Sequence, residues 1–133
     1  MKRFLCIGVL AGLAACATPQ KGPLPPAVPV FFQPWSAALD SNALSAIASA
    51  AQGAKAMPTA DVSVTGAADS TGSAQANIYM SKTRAQVVAD QLAADGVDPS
   101  RIQIHGVGIV SAAGVPNGAP AQFARRVVIQ VGG

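Results

Sequence analysis

Apolar and polar positions follow two different periods along this chain, and the two periods predict its regular elements. Four short runs are rich in β-forming apolar residues and are typical of strands, with the clearest alternation in the second and third. They are residues 28–32, 61–65, 101–107 and 127–131.

Two longer stretches have apolar residues at helical spacing. The first is predicted to begin at Ser36 or Asp40 and to end before Gly53. The second, residues 74–94, contains no glycine or proline. Three hydroxyl residues precede it and can cap it, namely Ser70, Thr71 and Ser73.

The order of these elements predicts an α/β (α+β) sandwich with the order βαβαββ. Its two main helices are expected to pack on one face of a small mixed sheet. The chain has 133 residues, of which 50% are hydrophobic and 11% charged, so it has room for one small domain. Trp35 lies beside the end of the first strand and is expected to fill the core rather than to form a ligand platform.

The N-terminus has the features of an export signal, because Lys2 and Arg3 precede an apolar run too short to cross a bilayer. The run ends Leu-Ala-Ala-Cys at Cys16 and resembles the lipobox of bacterial lipoproteins. That resemblance implies a signal peptide at residues 1–15, an acylated Cys16 and a lipid anchor. An ordinary signal peptide that happens to contain Cys16 is the alternative.

The residues after Cys16 indicate which membrane would hold the lipid. Ala17 and Thr18 follow it without an aspartate, which by resemblance to enterobacterial lipoproteins favours the periplasmic face of the outer membrane. Residues 16–29 contain five prolines and are expected to be a semi-rigid tether. The domain itself is expected at residues 30–133.

The turn between the second strand and the second helix carries the candidate chemistry. Asp69 lies in it, and Arg84 lies on the helix between Met80 and Val88, on one stripe, which predicts that its guanidinium is at least partly desolvated. The two charges either pair with each other, as loop charges commonly do, or remain apart and bind a zwitterion. Residues 110–122, rich in Gly, Pro and Ala, are predicted to be a loop that leaves the domain body.

Several functions are disfavoured by the composition. Net charge is +3, and without Lys2 and Arg3 seven basic residues face six acidic ones, so nucleic acid is not an expected partner. His105 is the only histidine and is expected to be a solvent-facing or hydrogen-bonded strand residue. No catalytic dyad or metal-ligand spacing is apparent, so neither an enzyme nor a cofactor is predicted.

The segment around the turn resembles the OmpA-like peptidoglycan-binding family. The positions in register are Gly66, Asp69, Gly72, Asn77, Ser81, Arg84, Ala85 and Val88. Later matches are Gly96-Val97, Arg101-Ile102, Gly106, Gly108 and Arg125-Arg126-Val127.

The resemblance implies both a ligand and the residues that hold it. The ligand is the diaminopimelate of the peptidoglycan stem peptide, bound non-covalently. Asp69 is expected to meet its amine and Arg84 its carboxylate, with Asn77 as a supporting contact and one of Arg125 or Arg126 near the pocket.

This sequence departs from the family pattern at three positions. Ala67 and Ala68 stand where the family has His-Thr, and Ala124 stands where it has Asn. Each lost hydrogen bond is expected to weaken binding by about 1 kcal/mol. An alternative function follows: a diverged scaffold or assembly lipoprotein of an envelope complex, such as a Tol-type or secretion machine, with weak or lost wall binding.

Overall fold

The computed structural model describes residues 22–132. Its strands are β1 (Val28–Phe31), β2 (Val62–Ala68), β3 (Ile102–Ile109) and β4 (Arg126–Val131), and its helices are α1 (Ser41–Ala56) and α2 (Ala74–Ala94). Short 3-10 turns occupy Pro99–Arg101 and Gln122–Ala124. The predicted signal peptide, Cys16 and the first part of the tether lie outside the described residues.

The four strands form one mixed sheet in the order β1-β4-β2-β3. Strands β2 and β3 are parallel, whereas β4 runs antiparallel to both of its neighbours. Both helices pack against this sheet, and one apolar cluster joins them to it, with Ile47 of α1, Val88 of α2 and Val64 of β2 fully buried. The predicted fold class is confirmed.

The strand directions give the sheet two distinct ends. Strands β1, β2 and β3 all finish where β4 begins, since Phe31 pairs with Arg126 and Gly66 pairs with both Val127 and Gly106. We call this the Asp69 end, because Asp69 directly follows β2. The opposite end, where Val28 begins β1, receives the chain from the N-terminal segment and is called the tether end.

Local sequence accounts for the helix limits. Asp40 caps α1 by accepting from the Ala43 amide at 2.8 Å, and Ser73 caps α2 by accepting from the Ala76 amide at 3.1 Å. Gly96, with φ +101, directly follows the C-cap of α2. A side chain at Gly66 would lie 1.9 Å from the Ser81 carbonyl oxygen, so this glycine lets α2 approach β2 closely.

Two predicted boundaries were wrong by several residues. Helix α1 continues past Gly53 to Ala56, because the buried Ala54 still packs on the core. Strand β2 continues beyond Thr65 through Ala68, since residues 66–68, which were predicted to belong to the turn, pair with neighbouring strands and are buried. The limits of β1, β3 and β4 differ from the predicted ones by one or two residues.

Two further predictions were also wrong. Trp35 is 52% exposed rather than in the core, because its backbone is left-handed (φ 50) and its ring lies over Gly72 at the surface. The loop after β3 does not leave the domain, since the Gly118 amide donates to Ser70 Oγ at 2.9 Å and the Ala121 amide to Asp69. No helix within residues 22–132 is long and apolar enough to cross a membrane.

Candidate functional site

Asp69 lies in a shell of hydrogen-bond donors at the Asp69 end. Its Oδ1 accepts from the amide and the hydroxyl of Thr71, and its Oδ2 accepts from the Ala121 amide at 3.2 Å and from Arg125 Nη1 at 2.7 Å. The residue is only 3% exposed. The carboxylate therefore connects the turn before α2 to the loop before β4 through a buried ion pair.

These contacts set the ionisation of Asp69. Burial raises the pKa of the carboxyl, but the hydrogen bonds from Thr71, Arg125 and Ala121 together outweigh burial and lower the pKa to about 2. The group is therefore fully ionised at neutral pH.

The two adjacent arginines at the start of β4 make different contacts. Arg125 is buried, pairs with Asp69 and donates from Nε to the Phe32 carbonyl oxygen at 3.1 Å. Arg126 points elsewhere and donates to the Phe123 carbonyl oxygen. Of the two arginines predicted as alternatives, Arg125 is the one that lies within the site.

Arg84 is the largest fully buried side chain among residues 22–132, at 1% exposure. It donates to three backbone carbonyl oxygens, those of Ser36 (2.9 Å), Gln33 (3.1 Å) and Ala67 (3.3 Å). The desolvation predicted from its helix stripe is confirmed. A guanidinium has five N–H donors, so two remain without an acceptor in the described part of the chain.

The three charged groups form a cluster with an excess of positive charge. Burial lowers the pKa of Arg84, the nearby charge of Arg125 lowers it further, and Asp69 opposes both effects. The expected alternative, an Asp69–Arg84 pair, does not occur, because Arg125 takes that position. Two guanidinium groups and one carboxylate leave a net charge of +1 in a buried place, which favours an additional anion.

The side chain of Asn77 forms hydrogen bonds with the turn between β2 and α2. Its Nδ2 donates to the carbonyl oxygens of Thr71 (2.6 Å) and Ser73 (3.0 Å), and the residue is 2% exposed. The side chain therefore fixes the shape of the turn that carries Asp69.

Two connecting segments cover the cluster. The segment between β1 and α1 supplies the Gln33 and Ser36 carbonyls, and its Trp35 ring would lie 2.6 Å from a side-chain carbon at Gly72. The loop between β3 and β4 supplies Ala121. A groove of about 530 Å³ lies beside the cluster but is lined by none of its three charged groups.

The sequence interpretation missed some of the groups that build the site. The contact of Thr71 with Asp69 could have been predicted from the sequence, because an Asp side chain commonly accepts a hydrogen bond from the backbone amide two residues later. No sequence signal could have identified the carbonyls of Gln33 and Ser36 or the amide of Ala121, because every residue type has these backbone groups.

Other chemistry lacks support in residues 22–132. No group of three or more His, Cys, Asp or Glu side chains there is arranged to hold a metal ion. His105 is solvent-exposed, as predicted.

The fold and the site define a small α/β domain built for binding. The chain belongs to the OmpA family, whose model matches residues 31–125. Domains of this class are structural binders of the peptidoglycan wall rather than enzymes. The predicted family is confirmed.

Individual relatives agree with this assignment. The chain is 38% identical over 79 residues to the probable lipoprotein YiaD of Escherichia coli (strain K12), an alignment covering 59% of this chain and 36% of that protein. The chain therefore spans about a third of this relative's length.

Solved structures of other bacterial proteins share the fold. The peptidoglycan-associated lipoprotein of Burkholderia pseudomallei superposes with a TM-score of 0.69 at 23% identity, covering 77% of this chain and 88% of that one. The cell wall anchor of the T6SS from Pseudomonas aeruginosa superposes with a TM-score of 0.63 at 27% identity, covering 79% of each chain.

Proposed function

We propose that this protein is an outer-membrane lipoprotein that binds peptidoglycan non-covalently through the diaminopimelate of the stem peptide, and so anchors the outer membrane to the wall. One observation carries the proposal: a domain of the OmpA family buries two guanidinium groups around a single carboxylate. Diaminopimelate presents both a carboxylate and an amine on one carbon, and such a zwitterion matches these charges.

The carboxylate of the ligand fits Arg84. Two N–H groups of this guanidinium have no acceptor among the described residues, and the ligand carboxylate would supply an acceptor and a negative charge beside Arg84. Bidentate pairing with a carboxylate is the geometry for which a guanidinium is best suited.

The amine of the ligand fits Asp69, but its oxygens already accept four hydrogen bonds. An ammonium group therefore has to replace a weaker donor. The Ala121 amide, at 3.2 Å, is longer than the Arg125 contact at 2.7 Å and lies on a surface loop. We expect this loop to shift when the ligand binds.

Access to Arg84 also requires movement. The side chain is 1% exposed, and the segment that covers it is an irregular connection held by the Gln33 and Ser36 carbonyl bonds. A ligand carboxylate can take the two spare N–H groups only after this segment, which includes Trp35, moves outward.

The proposed anchor suits this geometry. The chain reaches the domain at the tether end, where Val28 begins β1, and the charge cluster lies at the other end of the sheet. A lipid on Cys16, followed by a proline-rich tether, would therefore leave the Asp69 end directed away from the membrane and towards the wall.

Co-sedimentation of the purified protein with peptidoglycan sacculi tests the proposal. We expect the wild type to sediment with the sacculi, and Asp69→Asn and Arg84→Lys to remain largely in the supernatant. Arg101→Lys is the matched control, because Arg101 also donates to three backbone carbonyls but lies outside the cluster. Equal sedimentation of all four proteins would contradict the proposal.

A second candidate function has one observation in its favour. The site is closed by two segments, and Ala67 and Ala68 bring no polar side chain to it. A domain in that state also suits an assembly or scaffold lipoprotein of an envelope complex with weak wall binding. Crosslinking in cells that recovers a protein partner, together with no retention on sacculi, would favour this function.

A further inference from the structure

A groove of about 530 Å³ lies next to the charge cluster, a size within the range of about 300–1,000 Å³ seen for small-ligand pockets. It is formed by the loop after β3 and the 3-10 turn Gln122–Ala124. The lining residues that matter here are Ala112, Val115, Ala121, Phe123 and Arg126.

Phe123 is the most exposed large apolar residue in the described part of the chain, at 74%. Its ring is nevertheless held in place, because it meets the ring of Phe31 edge-to-face, with centroids 5.9 Å apart and planes at 87°. A fixed aromatic ring with an open face is a common feature of binding surfaces, since little conformational freedom is lost when a ligand covers it.

The groove adjoins the cluster through a single residue, Ala121. Ala121 lines the groove, and its amide donates to Asp69 Oδ2 at 3.2 Å. A ligand amine at Asp69 would therefore lie one residue from the groove, and the remainder of that ligand can extend into it.

The charge of the groove also favours a particular occupant. Arg126 lines it, and the groove is lined by no acidic residue. The Arg126 side chain uses one nitrogen for the Phe123 carbonyl oxygen, which fixes it beside the ring and leaves its other donors for a ligand.

We propose that this groove is a second subsite, which binds the carboxylate-bearing peptide portion adjoining the diaminopimelate. Arg126 pairs with a peptide carboxylate, Phe123 covers an apolar part of the peptide, and the small lining residues leave room for its backbone. The inference rests on the proposed function and assigns Arg126 to this subsite rather than to the diaminopimelate itself.

Calorimetric titration of the full-length protein in detergent tests the subsite with two probes. One is free meso-diaminopimelate, and the other is the tetrapeptide l-Ala-γ-d-Glu-meso-diaminopimelate-d-Ala. We expect the wild type to bind the tetrapeptide more tightly. Phe123→Ala and Arg126→Ala should each weaken tetrapeptide binding by about fivefold while leaving the affinity for free diaminopimelate within about twofold.

Tyr79→Ala is the matched control, because Tyr79 is also an exposed aromatic residue, at 61%, but does not line the groove. It should leave both affinities unchanged, whereas Asp69→Asn should abolish both. If the wild type binds both probes equally, or if the groove variants leave tetrapeptide binding intact, the subsite is wrong while the proposed function stands. If the wild type binds neither probe, both proposals fail.

Discussion

Arg84 and Arg101 make the same kind of contact at opposite ends of the domain. Each guanidinium donates to three backbone carbonyl oxygens: Arg84 to those of Gln33, Ser36 and Ala67, and Arg101 to those of Ala54, Met57 and Ala60. Both therefore fix a connection next to α1, Arg84 the one before it and Arg101 the one after it.

Their electrostatic surroundings differ. Arg101 is half-buried and faces carbonyls at the C-terminal end of α1, where the helix dipole favours a cation. Arg84 is almost fully buried near a second guanidinium, that of Arg125, and a single carboxylate, that of Asp69, accompanies these two positive charges. Hydrogen bonds alone therefore explain Arg101, whereas the cluster around Arg84 has a charge that the described residues do not balance.

The largest effect is expected for Arg84→Ala. The substitution removes three hydrogen bonds of an almost fully buried guanidinium and one positive neighbour of Asp69, so the free energy of unfolding should fall by about 3–5 kcal/mol. Urea denaturation measures this change. Arg126→Ala, outside the cluster, should change it by less than about 0.5 kcal/mol. If Arg84→Ala lowers the free energy of unfolding no more than Arg126→Ala does, the contrast between Arg84 and Arg101 is wrong.

Arg101→Ala should cost less, about 1–3 kcal/mol, because Arg101 is only half-buried and water can replace its guanidinium more readily. Sacculus sedimentation at a temperature where the variant is folded should be unchanged. Reduced retention of the folded variant would show that the two arginines are not separable in function, and that the contrast drawn between them is wrong.

Acid should remove the contribution of Asp69. Its pKa in the folded protein, about 2, is below the ordinary 3.8, so the ionised carboxylate stabilises the fold above pH 3.8 by about 2 kcal/mol. That stability should decline as the pH falls from about 4 towards 2. Asp69→Asn should flatten this part of the profile, measured by urea unfolding at each pH, and an unchanged slope would contradict the assigned ion pair.

The smallest expected effect is spectroscopic. Trp35 is the only tryptophan, is 52% exposed, and lies in the segment that covers Arg84. If that segment moves when diaminopimelate binds, Trp35 emission should shift by a few nanometres in the wild type, and Arg101→Lys should behave in the same way. The absence of a shift at saturating ligand would mean that the cover stays closed.

Local patterns predicted much of this fold. The limits of α2 followed from an unbroken helical run ended by Gly96, its cap is one of the three predicted candidates, and the desolvation of Arg84 followed from its stripe between Met80 and Val88. These features depend on neighbours within a few positions along the chain.

Long-range contacts were not predictable in this way. The partner of Asp69 is Arg125, 56 residues away, and nothing in the local sequence distinguished it from Arg84 or Arg126. The predictions for Trp35 and for the loop after β3 were wrong for the same reason. The positions of both depend on contacts with the distant turn that contains Ser70 and Gly72.

We propose that the Arg84 cluster, and not the region around Arg101, binds the zwitterion of diaminopimelate. Titration of meso-diaminopimelate onto the isotope-labelled protein, followed by amide NMR shifts, distinguishes the two regions. We expect saturable shifts for residues 69–77, and none around Arg101. Shifts confined to other parts of the domain, or no saturable shift at any amide, would contradict it.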